Sequence, residues 1–149
     1  MPVPIWAGHY IGLPFREHGR DRAGLDCWGL VRLVMAEQFG LALPSFAQNY
    51  KSTMDLKPIG RLVAAETQKW SQLSSGEEDA GDVVILRVRG VPLHVGLVLG
   101  DRHMLHIERG INSAIESYAR PHWAERVFGF YRYNPFLQEE GASYGLTFE

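Results

Sequence analysis

From residue 82 to residue 133 the chain breaks into short, β-branched-rich apolar runs, several alternating with a period of two, divided by turn residues. That period restricts the second half to antiparallel strands. The predicted strands are 83–88, 94–99, 103–107, 114–116 and 127–133, with turns at Arg89-Gly90, Gly100-Asp101-Arg102 and Arg109-Gly110. The first half follows another rule. Leu30, Val31, Val34, Met35 and Phe39 recur at helical spacing and Gly40 supplies a left-handed stop, so a helix is predicted over 27–39. Ile59, Leu62, Val63, Trp70 and Leu73 predict a second, weaker amphipathic helix. A helical half followed by a meander is an α+β domain.

The remaining segments read as connections. Residues 1–15 carry proline, glycine and aromatics and predict an extended lead-in rather than a helix. Residues 16–23 predict a polar loop, 41–58 an irregular connection, 74–81 a surface loop, and 134–149 a loosely attached tail. The length is one domain's worth, so a single domain over 1–149 is expected, with its core at about 13–133.

Composition excludes several classes of function. Fifteen Lys and Arg against seventeen Asp and Glu give a formal net charge of −2, which leaves no basic footprint for nucleic acid or an anionic membrane. A single cysteine excludes an intramolecular disulfide and a multi-cysteine zinc site, and nothing calls for a cofactor or metal. The opening MPVPIWAGHYIGLPF lacks both a basic leader and an unbroken apolar core. Neither a signal peptide nor a membrane span is therefore expected, and the protein should be made in the cytoplasm.

The only cysteine sits where a thiol can become a thiolate. Asp26 is the natural N-cap of the first helix, and Cys27 takes its first position, where unpaired backbone N–H groups and the helix dipole favour an anion. Gly29, one turn in, leaves room for another backbone or a substrate. A small buried hydrophobe beside an ordinary cap fits the same residues. Arg16, Arg20 and Arg22, just ahead of the helix, are either a solvated loop or candidates for holding a substrate carboxylate.

Two histidines in the meander share a parity with each other. A three-residue loop at Gly100 to Arg102 would pair Leu99 with His103 and Gly96 with His106, placing His94 and His106 on one face as diagonal neighbours. A two-residue loop would put them on opposite faces. Gly96 would then leave a bare patch for a helix. If Cys27 docks on that face, nucleophile, base and a group to orient the base converge.

LDCWGLV, followed by PLHVGLVLG and MLHIE, closely resembles the NlpC/P60 cysteine peptidases that cut peptidoglycan stem peptides. The resemblance runs from about residue 13 to 133. It implies a papain-like architecture, in which a helix carrying the cysteine packs on an antiparallel sheet carrying the histidines. It also implies a triad of Cys27 as nucleophile, His94 as base and His106 as the third polar residue. GLPFREHGRDRAGLDCWGLVRLV looks like the phage-tail and gene-transfer-agent branch. That implies delivery in a tail that opens the periplasmic wall, tail proteins as partners, and a substrate bond between γ-D-glutamate and meso-diaminopimelate. In the family the aspartate and serine flanking the cysteine are associated with gripping the substrate's free amino end. Here Asp26 is retained and Trp28 replaces the serine, while Phe15 stands where many members carry a tyrosine. Asp26, Trp28, Phe15, Arg16, Arg20 and Arg22 are thus the expected substrate contacts. Two rivals stay open. One is a structural tail protein that keeps the fold with little or no hydrolysis. The other is an acyl transfer to a different substrate, told apart by whether the pocket is apolar or holds cationic groups.

Overall fold

The computed structural model describes residues 2–138. A short 3-10 helix at Ile5–Tyr10 is followed by a two-stranded ribbon, β1 at Arg20–Asp21 and β2 at Gly24–Leu25. Helix α1 spans Cys27–Phe39 and α2 spans Leu56–Thr67. The rest is β3 Trp70–Leu73, β4 Val83–Val88, β5 Val91–Gly100, β6 His103–Glu108, β7 Ile111–Ser117, the single-turn α3 Pro121–Ala124, and β8 Val127–Tyr133. Six strands form one antiparallel sheet in the order β3-β8-β4-β5-β6-β7, so β4 and β5 lie at its centre. This is the expected α+β architecture, with helices packed on an antiparallel sheet.

The central strands are buried on both faces, and each face has its own core. Leu30, Val31, Val34 and Met35 of α1 pack with Val83, Ile85, Val95, Leu97, Leu105 and Ile107 on one face. Val84, Leu86, Val98 and Met104 turn to the other face, where Tyr118, Trp123 and Phe130 cover them. The cross-strand pairs Ile85↔Val95 and Leu86↔His94 make the alternation explicit: neighbours along β5 belong to different cores. Gly40 ends α1 at φ 66°, the left-handed stop that its sequence predicts.

Several segments depart from expectation. The second helix stops at Thr67, and Trp70 and Leu73 belong to β3, which pairs with β8 as an edge strand. The apolar spacing of 59, 62 and 63 is helical, but Trp70 answers to Tyr133 across the sheet. The lead-in is helical over Ile5–Tyr10, because Trp6 and Tyr10 pack edge-on against each other and Trp6 against Phe39. Ser113 ties this segment down, accepting from Leu13 N through Oγ and donating to the Tyr10 carbonyl at 2.5 Å. The predicted tail at 134–149 begins firmly attached. Asn134 donates to Ser71 Oγ and caps a helical turn at 135–138, and Gln138 donates to the Lys69 carbonyl. The remainder of that predicted tail, 139–149, lies outside the described residues.

Candidate active site

Cys27 occupies the first position of α1 behind its cap, as its sequence predicts. Asp26 Oδ1 accepts from Gly29 N at 2.9 Å, and the helix starts there. Gly29 is required by a backbone: a Cβ at this position would lie 2.1 Å from the Gly19 carbonyl oxygen. The room that it leaves is therefore filled by the ribbon ahead of the helix rather than by a substrate.

Asp26 is fully buried and holds that ribbon to the helix start. Besides Gly29 N, its carboxylate accepts from Arg20 Nη1 at 2.7 Å, His18 N at 3.1 Å and the Tyr50 hydroxyl. Arg20 is equally committed, donating also to the carbonyls of Gly19 and Ser45 and to the Tyr50 oxygen. Neither group is directed at a ligand. Arg22 forks onto Glu37, near the far end of α1, with its guanidinium 5.1 Å from the Tyr10 ring centroid. Arg16 is exposed and packs its stem on Gly24. Phe15 lies under the Arg109 guanidinium.

The thiol of Cys27 borders a cavity of about 80 Å³ between α1, α2 and the sheet. Trp28, Phe46, Leu62, Val63, Trp70 and Val95 supply much of its wall, so α2 does cover the cysteine side of the sheet. Of the six expected substrate contacts, Trp28 alone lines this cavity, held by its Nε1 donating to the Pro44 carbonyl. Asp26, Phe15, Arg16, Arg20 and Arg22 do not line it, because the three-arginine loop is folded back onto α1 and the cap. Burial, and then the Asp26 charge, push the thiol from 9.0 up to about 12, while backbone N–H groups of Val95 and Trp28 and the Arg20 charge act the other way.

His94 and His106 meet as expected. His94 Nε2 and His106 Nδ1 are 2.9 Å apart, and both residues are buried. The route to this pairing differs from the one expected. The hairpin loop is the two-residue turn Asp101-Arg102, both left-handed at φ 50° and 57°, and Gly100 pairs with His103. A bulge between Val98 and Gly100 adds one residue and restores the parity that a two-residue loop alone would have lost. Gly96 faces Met104 and Val84, not a helix.

The histidine pair lies on the Trp123 face, with His94 stacked on the indole at 5.6 Å between centroids and 18° between planes. Cys27 lies on the α1 face beside Val95. Among the described residues no hydrogen bond joins Cys27 to either histidine. Val95 N–H, next along β5 from His94, bonds instead to the Cys27 sulfur, because the β5–β6 ladder begins only at Leu97. Burial, the neighbouring His106 and the Arg126 charge push the His94 imidazole from 6.5 down to about 3, so it is neutral here.

The sequence reading missed Glu116 and Trp123. Glu116 accepts from His106 Nε2 and from the Trp123 indole N–H at 3.4 Å. The strand carrying Glu116 was predicted, but a bulge between His106 and Glu108 sets which of its residues face His106, and no turn signal encodes that bulge. His106, Glu108 and Glu116 bring one side-chain nitrogen or oxygen each within 4.8 Å of one another.

Comparison with known proteins adds ancestry to this geometry. The family model described as "NlpC/P60 family" matches residues 12–132. Murein DD-endopeptidase MepS/murein LD-carboxypeptidase of Escherichia coli strain K12 is 29% identical over 115 residues, 77% of this chain and 53% of that protein. Gamma-DL-glutamyl hydrolase of Bacillus subtilis strain 168 is 26% identical over 138 residues, 90% of this chain and 29% of that protein. The chain thus spans about half the length or less of these curated relatives. The NlpC/p60 domain of peptidoglycan hydrolase SagA superposes with a TM-score of 0.59 at 22% identity, over 84% of this chain and 91% of that one.

Proposed function

The chain belongs to the NlpC/P60 family, and from that premise we propose that it is a cysteine peptidase that hydrolyses peptidoglycan stem peptides, with Cys27 as nucleophile. The observation that carries this reading is the seat of Cys27: first in a capped helix, on the wall of a cavity, with the backbone N–H groups of Trp28 and Val95 directed at its sulfur. Relatives named as a murein endopeptidase and a gamma-glutamyl hydrolase agree with it. The Cys27 sulfur attacks the amide carbonyl carbon, the C–N bond breaks, and the amine leaves with a proton. Water then cleaves the thioester and returns the thiol. Backbone N–H groups near the sulfur are positioned to hold the developing oxyanion.

His94 is the proposed base, oriented by His106. Cys27 meets β5 at Val95, the residue that follows His94, and that contact supports the assignment.

The proposed bond is that between γ-D-glutamate and meso-diaminopimelate, and the proposed setting is a phage-like tail acting at the periplasmic wall with other tail proteins as partners. The gamma-glutamyl relative supports the first, and the likeness of the cysteine region to the tail branch supports the second. The rival, a structural tail role without hydrolysis, is favoured by Trp28 standing on the cavity wall where the family carries a serine. Mass spectrometry of meso-diaminopimelate muropeptides after digestion distinguishes these readings. Scission at the γ-D-glutamyl bond is expected. Scission elsewhere corrects the bond, and no scission by folded, reduced protein turns the assignment to the structural role.

A further inference from the structure

The histidine pair does not end at His106. His106 Nε2 bonds to Glu116, and the Trp123 indole N–H reaches the same carboxylate oxygen while its ring covers His94. A carboxylate only accepts hydrogen bonds, so His106 must carry its proton on Nε2. Neutral His106 then has a lone pair on Nδ1, which in turn requires His94 to donate from Nε2. The lone pair of His94 is thereby left on Nδ1, which has no hydrogen-bond partner among the described residues.

We propose that Glu116 is a positioning residue that fixes the tautomers of both histidines and so makes His94 Nδ1 the basic nitrogen. The proposal rests on the peptidase reading only where it calls that nitrogen the base. Glu116 suits this task because its side chain is 43% exposed while His106 is 3% exposed: it reaches from solvent to a buried ring without being buried itself. Trp123 closes the other side, held by the same oxygen, so the indole and the two rings form one hydrogen-bonded and stacked unit.

Long-range nitrogen-proton NMR of the full chain, with labelled histidine, reads the tautomers directly. In wild-type protein near neutral pH, Nδ1 of both His94 and His106 should carry the signature of an unprotonated nitrogen and Nε2 of both that of an N–H. In Glu116→Gln, whose amide can donate as well as accept, His106 should populate both tautomers and the His94 nitrogens should shift with it. A proton on His94 Nδ1 in the wild type, or unchanged tautomers in Glu116→Gln, overturns the proposal. On a muropeptide the same variant should lower kcat at least tenfold with little change in KM, against the 10²–10⁴ that a positioned base contributes. The two readouts separate the two claims. The expected tautomers without any cleavage would defeat the peptidase reading alone, and cleavage with the wrong tautomers would defeat this one alone.

Discussion

Two residues define the chemistry at the smallest scale, and both are held in their uncharged forms. Cys27 is pushed up to about 12 and His94 down to about 3, each chiefly by burial. The consequence for His94 is a stability that depends on pH. Its folded value lies below its ordinary 6.5, so the unfolded chain binds the proton more readily, and stability present above pH 6.5 is lost as pH falls towards 3. Denaturant midpoints measured across that window should decline in wild type and decline less in His94→Gln; equal slopes would contradict the burial of a neutral imidazole. For Cys27 the corresponding test is alkylation. Iodoacetamide should react faster only as pH climbs above 9 towards about 12. A reactive plateau near neutral pH would contradict the burial of the thiol.

At the scale of elements, α1 is anchored at its start more firmly than a single cap could manage. Asp26, Arg20, Tyr50 and the Gly19 carbonyl lock the ribbon, the helix and the 41–58 connection together. Gly29→Ala would drive a Cβ into that carbonyl, and a loss of roughly 2–3 kcal/mol is expected from denaturant unfolding, at the upper end for overpacking. An unchanged midpoint would mean that the ribbon does not press on the helix. Much of this scale was legible beforehand. The helix start and stop and the strands of the meander follow from Asp26, Gly40 and the period of two, whereas the expected pairing of His94 with His106 is reached by a two-residue loop and a bulge instead of a three-residue loop. The bulges were not legible, because an extra residue in a ladder leaves no composition signal, and bulges decide which residues share a face. For that reason the sequence alone does not point to Glu116. The arginines ahead of Cys27 were misjudged for a different reason: their charge is visible in the sequence, but their partners, Asp26 and Glu37, are chosen by the fold.

For the whole molecule, the account joins a family, a fold and one nucleophile. One face of the sheet carries α1, α2 and Trp28 around an apolar cavity, and Trp123 on the other covers His94, His106 and Glu116. The most direct test is the digestion of a purified meso-diaminopimelate muropeptide by wild-type protein and by Cys27→Ala, with circular dichroism to establish that both are folded. The account predicts cleavage by wild type and loss of cleavage in Cys27→Ala, with the spectrum unchanged. Equal cleavage by both proteins, or none by either, would contradict it.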